Sequence, residues 1–241
     1  MKPIQIIAEI GQNFNGDLEL AKELIRLSKK CGADVAKFQV YDAKSLFPSK
    51  EDGNNWFEYN CKTELTKKQI SVLIEECQKN DIEFMASAFD TTRVEWLEEL
   101  GVDRYKIASR SIKDNKLIDA ILKTGKPVIA SLGMWNGDDF PDLNGRDDID
   151  YLYCVSKYPT QLSELNFSKI DFSKYAGFSD HTLGIVASTI AMSRGARIIE
   201  KHLTIDKNMY GPDHSCSMTP SELSQLVEIK NNIISCLISK R

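Results

Sequence analysis

Gly177-Phe178-Ser179-Asp180-His181-Thr182-Leu183-Gly184, followed by Ile198-Ile199-Glu200-Lys201-His202-Leu203-Thr204, is the stretch on which the fold turns. Each segment is a short apolar run that ends in polar, reactive side chains, and residues 185–194 between them read as a helix. The spacing predicts a strand, helix, strand unit. Parallel strands joined by a helix lie side by side, so His181 and His202 at matching strand ends can converge on one metal ion. The chain has three histidines, and two of them fall here.

The same alternation extends in both directions. Upstream, residues 4–10 form an apolar strand that breaks at Gly11, and Asp17 caps a helix stopped by Gly32. A second strand, 33–40, carries Lys37. Residues 41–63 are polar and aperiodic, hold Trp56, Phe57 and Tyr59, and are expected to form a functional lid. Helix 66–80, strand 82–86, helix 91–100, strand 104–108, helix 115–123 and strand 127–131 follow. Residues 133–148 are rich in Gly, Asp, Asn and Pro, so the fifth helix is expected to be reduced to loop. Strand 151–155, a short element at 164–170, strand 175–179, helix 185–194, strand 197–201 and helix 220–238 complete the order. Eight strand and helix units in 241 residues predict an α/β fold, a (β/α)8 TIM barrel, as one catalytic domain over residues 1–241.

Composition narrows the function classes. The chain is 42% hydrophobic and 27% charged, enough for a sizeable core. A net charge of -4 gives no general attraction to nucleic acid or to an anionic membrane, so an anionic ligand must be held by local cations. Met1-Lys2-Pro3 leads straight into a strand, and no apolar stretch has spanning length, so a soluble, cytoplasmic protein is expected. The six cysteines lack paired spacing and are expected to be reduced thiols.

The barrel reading makes sense of the polar residues. Glu9, Lys37, Ser87, Lys106, Ser109, Ser131, Lys157, Tyr158, His181 and His202 all fall at or just past predicted C-terminal strand ends, where this fold builds its active site. The runs Ala8-Glu9-Ile10-Gly11, Lys37-Phe38-Gln39, Ser131-Leu132-Gly133-Met134, Tyr158-Pro159-Thr160, Gly177 to Thr182, Glu200-Lys201-His202 and Gly211-Pro212-Asp213-His214 carry a resemblance. In their order along nearly the whole chain they resemble the signature runs of the sialic acid synthase family, the N-acetylneuraminate synthase-like barrels. The resemblance implies condensation of phosphoenolpyruvate with an open-chain sugar aldehyde, giving a 2-keto-3-deoxy sugar acid and phosphate.

Residue by residue, the resemblance implies that His181 and His202 bind a divalent ion, Mn2+ or Mg2+, acting as Lewis acid on the aldehyde. Glu9 matches a carboxylate that moves a proton near that aldehyde. Lys37 and Lys106, with Ser87, Ser109, Ser131, Ser156 and Ser179, match or adjoin the positions that hold the phosphate and carboxylate of phosphoenolpyruvate. Tyr158 and Asp213 match sugar contacts, and His214 is left outside the metal site. The partners implied are these two small molecules, with a homodimer also compatible, and neither nucleic acid nor membrane.

Three departures qualify the match. The family's N-H-N-G run reads Asn13-Phe14-Asn15-Gly16, and its S-G-E reads Ser109-Arg110-Ser111. The family's antifreeze-like C-terminal domain has no counterpart in this sequence, so closure of the site is expected from Trp56 to Tyr59 or from residues 135–148. Arg110 is expected to face the second substrate. Two other classes stay open here: a Schiff-base aldolase using Lys106 or Lys157, and a non-catalytic barrel that binds a phosphorylated metabolite.

Overall fold

The alternation of strands and amphipathic helices closes on itself. The computed structural model describes residues 3–47, 49 and 55–237. Among them, eight parallel strands follow one another around a closed barrel in sequence order, with the last pairing the first. They are β1 (Gln5–Gly11), β2 (Val35–Val40), β3 (Glu83–Ala88), β4 (Tyr105–Ile107), β5 (Val128–Ser131), β6 (Asp150–Cys154), β7 (Gly177–Asp180) and β8 (Ile198–His202).

Helices cover the barrel where the sequence has a 3.6-residue apolar stripe. α1 (Leu18–Lys30) buries Ala21, Leu24 and Ile25, and Asp17 caps it by accepting from the Glu19 and Leu20 amides. After β2 come two short helices, α2 (Ala43–Leu46) and α3 (Phe57–Lys62), then α4 (Lys67–Lys79) with a capping box between Thr66 and Gln69. α5 (Thr91–Glu99), α6 (Asn115–Leu122), α7 (Val186–Ser193) and α8 (Pro220–Leu237) cover the remaining wall. Outward strand residues such as Phe38 and Phe84, stacked at 5.7 Å, fill the layer between barrel and helices.

Inside the barrel, a separate apolar cluster of Ile7, Val35, Met85, Ile129, Leu152, Ala176 and Ile198 forms a floor. Side chains alternate across a strand, so the residues two positions on face the same interior one layer higher. From Ile7, Val35, Met85, Ile129, Leu152 and Ile198 that step gives Glu9, Lys37, Ser87, Ser131, Cys154 and Glu200. An apolar floor therefore lies directly beneath a polar layer.

Three expectations need correction. Residues 41–47 and 55–63 are not an open lid: Tyr41 is buried, hydrogen-bonded to the Asn60 carbonyl and to Thr63, and the segment folds into α2 and α3. Residues 48 and 50–54 of that stretch lie outside the described residues. Between β5 and β6 there is no helix, as the composition predicts, but the segment packs on the outer wall instead of over the mouth. Phe140 stacks on Tyr151 and Tyr175, and Leu143 is buried. The element expected at 164–170 is two single turns of 3-10 helix, Leu162–Glu164 and Phe167–Lys169, so the wall after β6 is also thin. All six cysteines are free, and among the described residues no helix is long and apolar enough to cross a membrane.

Candidate active site

Strand pairing sets the lateral order of the polar layer. Glu9 stands between His202 on β8 and Lys37 on β2, Ser87 pairs with Lys106, and Ser179 pairs with Glu200. At Gly11 the backbone takes φ +54 and the β1–β2 register shifts, a bulge that ends the strand beside the site. A Cβ there would come within 3.3 Å of Gln39, Glu9 and His202.

Above the floor opens a cavity of about 490 Å³. It is lined by Glu9, Lys37, Lys106, His181, His202, Ser87, Ser109, Arg110, Ser131, Ser156, Tyr158, Ser179 and Asp213. Every side chain to which the family resemblance gave a catalytic, substrate-binding or metal-ligating role therefore reaches one space. Lys157 does not: it is solvent-exposed and paired with Glu164 at 2.6 Å, which removes it as an amine for a Schiff base in this cavity. Asp180, next to His181 in the chain, points out of the barrel. It accepts from the Thr182 amide and hydroxyl and from Ser188, and pairs with Lys201 at 3.3 Å.

Lining residues missed in the sequence are Glu200, Gln39 and Gln12, with Phe47, Phe89, Ala108 and Met134 at the apolar parts of the wall. A signal for two of them was present. Glu200 lies two residues before His202, and Gln39 two residues after Lys37, so each shares its neighbour's face of the strand.

The electrostatics centre on two buried carboxylates and two buried amines. Lys37 lies 2.8 Å from Glu9 and 3.6 Å from Glu200, while Lys106 lies 3.2 Å from Glu200. Ser179 donates to Glu200 at 3.1 Å and Gln39 to Glu9 at 3.1 Å. Burial raises the Glu9 carboxyl above its usual range; Lys37 opposes this and the charge of Glu200 reinforces it. Burial acts on Glu200 in the same sense, but Lys106 and Lys37 together outweigh it and hold that carboxyl at about 2. Burial lowers Lys106, with Glu200 opposing. Two carboxylates of one cavity are thus pushed apart.

The two imidazoles stand with ring centroids 5.8 Å apart. His181 Nδ1 is 3.0 Å from the Val155 carbonyl, which can only accept, so Nδ1 carries a proton; burial works against the charged ring, but Cys154 at 3.8 Å and the Val155 carbonyl together raise it above its usual value. Burial pushes His202 down to about 4, against the pull of Asp213, so it is neutral at pH 7. His202 Nδ1 is buried without a hydrogen-bond partner, and Asp213 lies 3.9 Å from it. Glu9 Oε2 and Glu200 Oε2 likewise lack a directed hydrogen bond despite their ion pairs. Among the described residues no set of three His, Cys, Asp or Glu side chains converges as a closed ligand cage. Once deprotonated, two buried imidazoles, one of them with an unpartnered nitrogen, are donors that fit a divalent ion.

Tyr158 stacks over His181 at 4.1 Å. His214 is buried in the wall, bridging Thr204 at 2.7 Å and Asn15 at 2.9 Å, and does not line the cavity. Phe14, where the family carries a polar ring, packs edge-on against Phe38 in the core.

Comparison with known proteins shows the family and the fold. A model of the NeuB family matches residues 24–240. An N,N'-diacetyllegionaminic acid synthase of Campylobacter jejuni is 38% identical over 94% of this chain and 75% of its own length. The N-acetylneuraminate-9-phosphate synthase of Homo sapiens is 35% identical over 93% of this chain and 68% of its own. Among solved structures, the N-acetylneuraminic acid (sialic acid) synthetase of Leptospira borgpetersenii in complex with citrate superposes with a TM-score of 0.90 at 33% identity, covering 99% of this chain and 86% of that one.

Proposed function

This chain belongs to the NeuB family, that of the sialic acid synthases, and from its cavity we propose that it condenses phosphoenolpyruvate with an open-chain sugar aldehyde. The products are a 2-keto-3-deoxy sugar acid and phosphate. In the balanced step, C3 of phosphoenolpyruvate bonds to the aldehyde carbon, water adds at C2, and the C2–O bond to phosphate breaks.

The observation that carries this reading is the polar layer itself: two amines, two carboxylates with opposite shifts, hydroxyls and two imidazoles, all over an apolar floor in one cavity. Lys37 and Lys106 with Ser87, Ser109, Ser131, Ser156 and Ser179 supply the fixed cations and donors that an anionic enol ester needs. Glu9, whose carboxyl burial raises above its usual range, moves a proton from the attacking water to the aldehyde oxygen as that oxygen becomes a hydroxyl. Glu200 stays ionised and fixes Lys37 and Lys106 in place. Tyr158 and Asp213 border the side of the cavity nearest the imidazoles, where the sugar would lie. A divalent ion, Mn2+ or Mg2+, held by His181 and His202 would supply polarisation of the aldehyde carbonyl.

Phosphate release from phosphoenolpyruvate, measured with a panel of aldoses with and without Mn2+, tests the proposal. Aldose-dependent release that a chelator abolishes is the expected result. Borohydride trapping of pyruvate on Lys106, with chelator-insensitive turnover, would replace it by Schiff-base chemistry.

A further inference from the structure

The cavity lining carries three cations, Lys37, Lys106 and Arg110, and three carboxylates, Glu9, Glu200 and Asp213. Both lysines are already engaged by Glu9 and Glu200 within 3.6 Å. Arg110 makes no ion pair among the described residues. Its guanidinium stands 5.0 Å over the Phe47 ring and 5.9 Å over Phe89, and Nη2 donates to the Leu46 carbonyl at 3.2 Å. These contacts orient the guanidinium without cancelling its charge, and leave most of its five donors open.

Its place in the fold matters as much. Arg110 sits in the turn Ser109–Ser111 directly after β4, one residue from Ser109, whose hydroxyl accepts from the Gly133 amide at 3.1 Å on the cavity wall. A phosphate dianion entering a lining whose inner charges already pair off meets Glu9 and Glu200 as repulsive neighbours unless an uncompensated cation faces it. Arg110 is the lining cation that meets that requirement, and its planar fork matches two phosphate oxygens.

We infer that Arg110 is the phosphate-gripping residue of this mouth, taking a phosphomonoester dianion by a bidentate contact. The inference deepens the condensation reading and rests on it for the identity of the substrates. Two substrates could bring that group: phosphoenolpyruvate, or an acceptor sugar that is itself phosphorylated.

The test uses the full chain and its Arg110→Ala and Arg110→Lys variants, each checked for an unchanged melting transition. Lys157→Ala serves as control, because Lys157 is exposed and paired outside the cavity. Calorimetry measures binding of inorganic phosphate and of phosphoenolpyruvate, and kinetics compare an N-acetylhexosamine with its 6-phosphate. Loss of a charged bidentate contact should weaken phosphate binding by about 10-fold or more in Arg110→Ala, with Lys recovering only part. If phosphoenolpyruvate weakens in parallel, it is the source of the phosphate. If its affinity stays within twofold while preference for the phosphorylated acceptor collapses, the acceptor is the source. Phosphate, phosphoenolpyruvate and both acceptors all unchanged within twofold would overturn the inference. Because the calorimetry needs no turnover, a loss of phosphate affinity with no aldose supporting phosphate release would keep Arg110 and remove the condensation reading instead.

Discussion

Strands β7 and β8 present ionisable groups on both faces, and the two faces have opposite characters. Outward, Asp180 and Lys201 are fully buried and satisfied: three donors and an ammonium converge on Asp180, and Lys201 also donates to the Thr182 carbonyl at 2.6 Å. Inward, on either side of Lys201 in β8, Glu200 Oε2 and His202 Nδ1 are buried and left without a hydrogen-bond partner. A buried polar atom costs about 1–3 kcal/mol when unpaired, so the inner face carries a stability cost that the outer face does not. The completed pair on the outer face holds the wall; the inner face keeps unpartnered polar atoms on the cavity lining.

Breaking the inner face should cost function and spare the fold. His181→Ala or His202→Ala is expected to lower condensation by ~1000-fold or more, several kcal/mol of barrier, with the melting temperature little changed. Near-normal turnover by either variant in metal-supplemented buffer would remove these residues from a metal site.

The outer face should behave in reverse. Asp180→Asn leaves Lys201 uncompensated in the wall and should cost about 3–5 kcal/mol of stability, read from the urea midpoint, while the protein still folded keeps its turnover number. A loss below about 1 kcal/mol would mean that the hydroxyl and amide contacts, and not the charge, carry the pair.

Glu9→Gln sharpens the assignment within the polar layer. It keeps the shape and the reach to Gln39 but removes the titrating group, so turnover should fall by ~100-fold while phosphoenolpyruvate still binds. Weakened binding at unchanged turnover would make Glu9 a partner for Lys37 alone. The smallest effect belongs to the floor. Ile129→Val removes one methylene beneath Ser131 and should cost about 1 kcal/mol of stability without moving kcat. A change in kcat would show that the floor tunes the layer above it.

Much of this was legible in the chain before any folding. Short apolar runs ending in polar residues, separated by capped amphipathic segments, determine eight strands and the helices between them because the periods of 2 and 3.6 are local properties. The Gly- and Asp-rich composition of 133–148 likewise determined that no helix follows β5. The polar strand ends were local too, which is why the nominated side chains, Lys157 aside, line the cavity.

Tertiary structure decided the rest. A period of two says that Asp180 and His181 face opposite ways, but which face is inside depends on how the eight strands close, and closure turned Asp180 and Lys201 outward and Glu200 inward. Packing partners distant in sequence folded the Tyr41 segment onto Asn60 and Thr63, and laid Phe140 against Tyr151 and Tyr175. The opposed shifts of Glu9 and Glu200 arise only where four strands bring two carboxylates and two amines into one desolvated layer, since burial and charge are properties of the neighbourhood and not of the residue.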